Sequence, residues 1–371
     1  MSPPGPRKVL MTADTVGGVW TFAIELCASL AHYGVEVTLL SMGRVPDEAQ
    51  QTEAAAQPNL RLVPTGYRLE WMQDCQADVI ESGRVLMQLA REVRPDIVHV
   101  NGYYHAALRF DAPVLLTAHS CVASWWRACK REPIPLEWWR YVNWVSAAVR
   151  AADMVTAPSQ NFLDSFQALH GRAKSARAIW NGRDPSFFKT GPKQNRIIAA
   201  GRLWDQAKNI RLLCELANGL DAPVAVAGEN ISPDGRAAEL NNVEFLGALD
   251  RASLAAEMAR ASVFASPARY EPFGLTIVEA ALSECALVLG DIPTLRELWD
   301  GAATFVAPDD AEGWREALRT LTSDTVVASE QGLRARGRAE RYSAAIMGES
   351  YWGAYRALLR AQRQPITEAA A

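Results

Sequence analysis

Two cations stand six residues apart in the run Gly201-Arg202-Leu203-Trp204-Asp205-Gln206-Ala207-Lys208-Asn209. The run follows a short apolar stretch, Arg196–Ala200, and precedes a helical pattern over Asn209–Ala217. Cations at the carboxyl end of a buried strand, ahead of a helix, can meet an anion such as a diphosphate. A solvated charged loop is the alternative; the otherwise apolar company of these charges favours a ligand. A second run, Ser266-Pro267-Ala268-Arg269-Tyr270-Glu271-Pro272-Phe273-Gly274-Leu275, leads from strand to loop to helix, with Glu279 inside that helix. Retaining glycosidases need carboxylates roughly 5–5.5 Å apart. Glu271 ahead of the helix and Glu279 in its second turn do not suit that closeness. They suit gripping hydroxyls at two ends of a long ligand, with the Phe273, Gly274 and Leu275 N–H groups opening at a positive helix end.

The first half of the chain offers weaker signals. Thr12-Ala13-Asp14-Thr15-Val16-Gly17-Gly18-Val19 is a strand, a glycine pair and a helix start. Glycines there let a phosphate or sugar approach the backbone, though a structural turn explains them equally well. The run fits neither G-x-G-x-x-G nor the Walker A pattern. His119 follows the strand candidate Val114–Thr117; His105 and His99 lie near the end of the strand before it. His119 is the favoured ligand-facing histidine, and His105 a second candidate.

Elements that would hold these loops recur along the chain. Strand candidates are Lys8–Thr12, Val35–Leu40, Asp96–Val100, Val114–Thr117, Met154–Ala157 and Ala176–Ile179. After Asn195 come Arg196–Ala200, Pro223–Ala227, Val243–Leu246, Ser262–Ala265, Ala286–Leu289 and Thr304–Val306. Several are nearly continuous apolar runs, as expected for parallel strands buried on both faces. Amphipathic stretches separate them, including Val19–His32, Gly83–Val93, Ser253–Ala259 and Leu275–Ser283. Such alternation predicts parallel sheets with right-handed crossovers. The turn-rich run Trp180-Asn181-Gly182-Arg183-Asp184-Pro185 marks a hinge. Residues 1–182 and 183–344 then form two domains, and a helix over about 345–371 packs back on the first.

Composition narrows the classes. The 371 residues are 49% hydrophobic and 22% charged, with net charge −4, which excludes a disordered chain and gives no electrostatic case for nucleic acid. Six cysteines show no metal-ligand spacing and sit mostly in apolar stretches, as in a reducing compartment. No signal peptide or spanning segment is visible. The expected location is cytoplasmic, with peripheral contact at a membrane surface left open.

Glu271-Pro272-Phe273-Gly274-Leu275 with Glu279 resembles the E-x7-E motif of the retaining nucleotide-sugar glycosyltransferases of family four. Gly17-Gly18, His119, Pro158-Ser159, Asn181-Gly182, Gly201-Arg202, Lys208-Asn209 and Gly247 fall in that family's order, so the resemblance spans Lys8 to Tyr355. It implies the GT-B fold: two Rossmann-like, doubly wound α/β domains facing a cleft. It also implies a hexosyltransferase that moves a sugar from a nucleotide sugar, UDP-sugars favoured over GDP-sugars, to a hydroxyl of a glycan, lipid-linked glycan or small metabolite. Arg202 and Lys208 would neutralise the diphosphate, Glu271 would hold the donor sugar and Glu279 the ribose diol. His119 would lie near the anomeric carbon, Gly17-Gly18 would approach the diphosphate, and Ala248-Leu249 would frame the base. No Asp-x-Asp occurs, so neither a metal nor another cofactor is expected. A non-catalytic nucleotide-sugar sensor, or an epimerase or phosphorylase on the same scaffold, is the competing reading.

Five tryptophans, Trp125, Trp126, Trp138, Trp139 and Trp144, are interleaved with Arg127, Lys130, Arg131 and Arg140. Core packing is the plain explanation. The alternatives are an aromatic wall for the sugar-accepting substrate, with Trp125 and Trp126 as its members, and an interfacial membrane contact. The break at Pro133 and Pro135 favours the wall.

Overall fold

The protein is described by a computed structural model covering residues 5–363. One sheet is built from β1 (Lys8–Asp14), β2 (Glu36–Met42), β3 (Leu60–Pro64), β4 (Ile97–Val100), β5 (Val114–Thr117), β6 (Met154–Ala157) and β7 (Ala176–Ala178). Its order is β3-β2-β1-β4-β5-β6-β7. A second comprises β8 (Gln194–Ala200), β9 (Val224–Ala227), β10 (Glu244–Phe245), β11 (Ala261–Ser266), β12 (Ala286–Gly290) and β13 (Thr304–Val306), in the order β10-β9-β8-β11-β12-β13. Every pairing is parallel. Strands β4, β5, β6 and β9 are buried at every residue, which is why they read as nearly continuous apolar runs, broken only by His99, Thr117 and Thr156, which hydrogen-bond to one another.

In each sheet the strand order reverses once, between β1 and β4 and between β8 and β11. Ligands of doubly wound sheets bind outside the carboxyl ends of the strands at this reversal. The loops singled out from the sequence follow β1, β5, β8 and β11. They therefore lie at, or one strand from, the two reversals.

The chain divides into two compact units. Among the described residues, the first holds 5–124, Pro133–Trp180 and the Ala344–Arg363 helix; the second holds Trp125–Glu132 and Asn181–Ser343. The division falls at 180/181, two residues before the expected 182/183. It also assigns the short Trp125–Glu132 segment to the second unit, which nothing in its residue types predicts.

In the first unit the helix Ala344–Arg363 presents Met347, Tyr351, Tyr355 and Leu358 to a core shared with Phe22, Leu26 and Leu30 of the Gly18–Ala31 helix. The two helices cross closely: a Cβ on Gly348 would stand 2.4 Å from the Ser29 Cβ. Polar groups run through this core. Tyr355 Oη and His99 Nδ1 are 2.7 Å apart, His99 Nε2 and Thr117 Oγ1 2.7 Å, and Thr117 Oγ1 and Thr156 Oγ1 2.8 Å. The network ties the C-terminal helix to β4, β5 and β6. Tyr355→Phe leaves the fully buried His99 Nδ1 without its partner. It is expected to cost about 1–3 kcal/mol in urea unfolding; an unchanged midpoint would mean that water or a ring shift replaces the phenol.

Candidate functional site

The second unit carries the charged loops. The turn after β8 starts at Gly201, whose N–H donates to Ala227 O at 3.0 Å, and Leu203 N–H donates to Glu229 O at 2.8 Å. Arg202 donates through Nη2 to Asp205 Oδ2 at 2.9 Å, and its guanidinium lies 5.4 Å from the Trp204 ring centre. Lys208 N–H donates to Asp205 O at 2.9 Å. Asn209, left-handed at φ 54°, then starts the Ile210–Ala217 helix, with Nδ2 bonded to Pro308 O at 2.9 Å.

The loop after β11 meets the first loop through charge. Lys208 Nζ donates to Glu271 Oε2, and both side chains are largely enclosed. Phe273 N–H points to Glu271 Oε1 at 3.4 Å, and Phe273 packs edge-on to Tyr342 with ring centres 5.5 Å apart. Gly274 caps the Leu275–Leu282 helix at φ +87°, where a Cβ would strike Ile277 Cδ1 at 2.6 Å, so glycine is required there. Glu279, in the second turn, is not an open carboxylate: its Oε1 lies 2.8 Å from Arg183 Nε, and both side chains are buried. Ala248 and Leu249 follow Gly247 (φ +74°) after β10, the first exposed and the second half-buried.

The first unit places its own polar groups at the carboxyl ends of β1, β4 and β5. Gly17 (φ +102°) and Gly18 are exposed at the start of the Gly18–Ala31 helix. Asn101 donates through Nδ2 to Thr12 O at 2.6 Å, so its Oδ1 is free to accept from His119 Nε2 at 2.8 Å. That pairing puts the ring proton on Nε2 and leaves Nδ1 as the lone-pair nitrogen. Burial against Phe22, 4.5 Å away between ring centres, lowers the His119 pKa to about 3. The ring is therefore neutral at pH 7 and able to accept a hydroxyl proton at Nδ1. Neighbouring Glu70, unmarked by the sequence, accepts from Tyr103 N and Tyr104 N at 2.8 and 2.9 Å; burial, against these bonds, pushes it up to about 7.

One sequence expectation needs correction, and two more residues gain contacts that the sequence did not show. His105 is buried with Nε2 3.0 Å from Ser82 Oγ, inside the fold rather than facing a substrate. Trp125 spends its indole N–H on Asp205 Oδ1 at 2.9 Å, and the Trp126 indole nitrogen is buried without a hydrogen-bond partner among the described residues. Both N–H groups are thus turned inward, while the two rings stay half-buried. In the rest of the cluster, Trp139 is the exposed ring, 58% accessible, beneath the Arg140 guanidinium. Sequence reasoning missed Arg183, read only as part of a turn, and Asp205, which lay in plain view between the two cations.

Burial sets a pH dependence. His99 is lowered to about 3, His105 to about 4, His119 to about 3 and His170 to about 4, each chiefly by desolvation. Unfolded histidines take up protons below about 6.5, while these stay neutral in the fold. Between about pH 6.5 and 4 the unfolded state binds more protons, so stability falls on acidification. Glu70, raised, opposes this weakly between about 4.5 and 7. Thermal unfolding followed from pH 7.5 to 5 should show a falling midpoint; a flat or rising profile would refute neutral burial of these rings.

Among the described residues no cluster of three or more His, Cys, Asp and Glu side chains is placed to hold a metal ion. Nor is any described helix long and apolar enough to cross a membrane.

The chain is similar in sequence and fold to known proteins. Residues 16–187 match the model of Glycosyltransferase Family 4, and residues 194–324 that of Glycosyl transferases group 1. A glycogen synthase of Mycobacterium tuberculosis is 27% identical, covering 94% of this chain and 93% of its own. The D-rhamnosyltransferase WbpZ of Pseudomonas aeruginosa is 23% identical over 88% of each chain. Among solved structures, a sucrose-phosphate synthase of Thermosynechococcus elongatus superposes with TM-score 0.79 at 17% identity, covering 96% of this chain and all of its own. Anabaena Alr3699/HepE, in complex with UDP-glucose, superposes with TM-score 0.74 at 19% identity over 94% and 98%.

Proposed function

The chain belongs to the GT-B glycosyltransferases of family 4, and we propose that it transfers a sugar, with retention of anomeric configuration, from a nucleoside-diphosphate sugar to a hydroxyl of a glycan, lipid-linked glycan or small metabolite. UDP-sugars are the favoured donors, in line with the UDP-glucose bound by Alr3699/HepE. The observation that carries the reading is the meeting of Lys208 and Glu271 at the β8/β11 reversal. A cation for a phosphate and a carboxylate for sugar hydroxyls stand side by side where a doubly wound sheet binds its ligand.

In this reading Arg202 and Lys208 stabilise the charge that gathers on the departing diphosphate. Glu271 and the Phe273, Gly274 and Leu275 N–H groups hold the sugar. Glu279 shares the ribose diol with Arg183, and Ala248 and Leu249 border the base. Neutral His119 accepts a sugar hydroxyl, and the exposed Gly17-Gly18 turn offers amides to phosphate oxygen. Two protein cations do the work of a metal ion, so EDTA should leave the rate unchanged; recovery of a lost rate by Mn²⁺ or Mg²⁺ would contradict this.

The test is incubation with UDP-, GDP-, ADP- and dTDP-sugars, alone and with sugar acceptors, following release of nucleoside diphosphate. At least one donor should be transferred or slowly hydrolysed, and NMR of the product should show the donor's anomeric configuration. Turnover of none would sink the assignment, and an inverted product would sink retention.

A further inference from the structure

Asp205 is the most enclosed charge of the loop between β8 and the Ile210–Ala217 helix, its side chain 4% exposed. Its two oxygens are divided between different partners. Oδ1 accepts from Trp125 Nε1 and from Ala207 N, both at 2.9 Å. Oδ2 accepts from Arg202 Nη2 at 2.9 Å. The backbone of the same residue closes the loop: Asp205 N–H donates to Arg202 O at 3.1 Å, and Lys208 N–H to Asp205 O at 2.9 Å. One residue therefore locates both cations. Among its side-chain donors only Trp125 comes from another element, the Val122–Lys130 helix. Two N–H groups on Oδ1 fix the carboxylate's rotation, and that rotation turns Oδ2 toward the guanidinium.

We propose that Trp125 and Asp205 are a positioning pair that orients Arg202 for the donor's diphosphate. Trp125 thus serves the phosphate loop rather than a wall for the sugar-accepting substrate. The inference rests on the donor reading above. A buried carboxylate left with fewer donors loses its fixed orientation. An arginine whose planar fork is misaligned is a poorer diphosphate ligand than one held in register.

Trp125→Phe removes the N–H and keeps an aromatic ring in the same space. Binding is measured with whichever of UDP, GDP and ADP the wild-type protein takes up, and with its parent nucleoside by saturation-transfer NMR. The variant should bind the diphosphate about tenfold more weakly, a change of about 1.4 kcal/mol. It should bind the nucleoside, which has no phosphate for Arg202, as the wild type does. In an Asp205→Ala background the Trp125→Phe change should have no further effect, because both act through one contact. If diphosphate and nucleoside weaken together, the indole is a general packing element and the proposal falls. Unchanged diphosphate affinity in Trp125→Phe overturns the positioning role alone. A wild-type protein that binds none of the three diphosphates overturns the donor reading and the positioning role with it.

Discussion

Lys208→Ala and Glu271→Gln should both collapse turnover while moving the affinity for a nucleoside diphosphate in opposite directions. The Lys208 ammonium is bonded to the Glu271 carboxylate in a largely enclosed setting, where charges are weakly screened. An incoming diphosphate has to win the cation from that carboxylate. Without Lys208 the leaving group loses a charge partner, and removal of one such group costs about 10²–10³ in rate. Diphosphate affinity falls with it. Glu271→Gln removes the competitor but leaves the cation, so the bare diphosphate should bind more tightly, by about fivefold to tenfold, or about 1–1.4 kcal/mol. Turnover still falls, by about 10², because the sugar hydroxyls lose a charged hydrogen-bond acceptor. Calorimetric titration with the diphosphate beside initial rates of its release from the donor separates the effects. Weakened diphosphate binding in both variants would show that Glu271 supports Lys208 at the phosphate rather than competing for it.

The Lys208–Glu271 pairing was not visible in the sequence, although both residues were. The loops Gly201–Asn209 and Ser266–Leu275 are each continuous in the chain, each between one strand and one helix. A strand's carboxyl end, a glycine and a charge at fixed spacing can be read without knowing what lies opposite. Pairings between loops are another matter. Nothing in the residue types around Trp125 says that its indole turns to Asp205, eighty residues on. Nothing around Arg183 says that it reaches Glu279. Adjacent tryptophans and interleaved cations suggest a surface when periodicity is the only guide, whereas the fold uses one ring's N–H as a brace.

The strands show the same division between local and distant causes. Runs such as Val114–Thr117 and Met154–Ala157 coincide with β5 and β6 because both faces are covered, and every residue is apolar or a hydrogen-bonded threonine. Leu60–Pro64 went unrecognised. It is an edge strand paired on one side to β2, partly exposed throughout, with Arg61 as its second residue and proline at its end. An edge needs no apolar run, and proline is tolerated there. The Gln76–Val93 helix begins before the expected Gly83 because Val79 and Ser82 already continue its buried stripe with Leu86 and Leu89.

Gly228→Ala tests how rigidly the Arg202 loop is seated. A Cβ at this position would lie 1.8 Å from the carbonyl oxygen of Gly201, and the residue sits at φ +138°, a conformation that L side chains rarely adopt. Neither backbone can easily retreat. Gly228 N–H is bonded to Gly247 O at 2.8 Å, and the β8 turn is pinned on either side by the Gly201–Ala227 and Leu203–Glu229 bonds. Backbone strain of about 1–3 kcal/mol and overpacking of about 1–3 kcal/mol then act at the same point. The expected loss is about 2–6 kcal/mol, a large part of the 5–15 kcal/mol typical of a folded domain. Gly235→Ala is the control, since Gly235 has φ +84° but nothing within 4 Å of the added carbon. It should lose only the left-handed penalty of about 1–2 kcal/mol. Urea unfolding of the two variants therefore separates collision from conformation. Equal midpoints would mean that the Gly201 carbonyl yields, and that Arg202 is carried on a turn far softer than its hydrogen bonds imply.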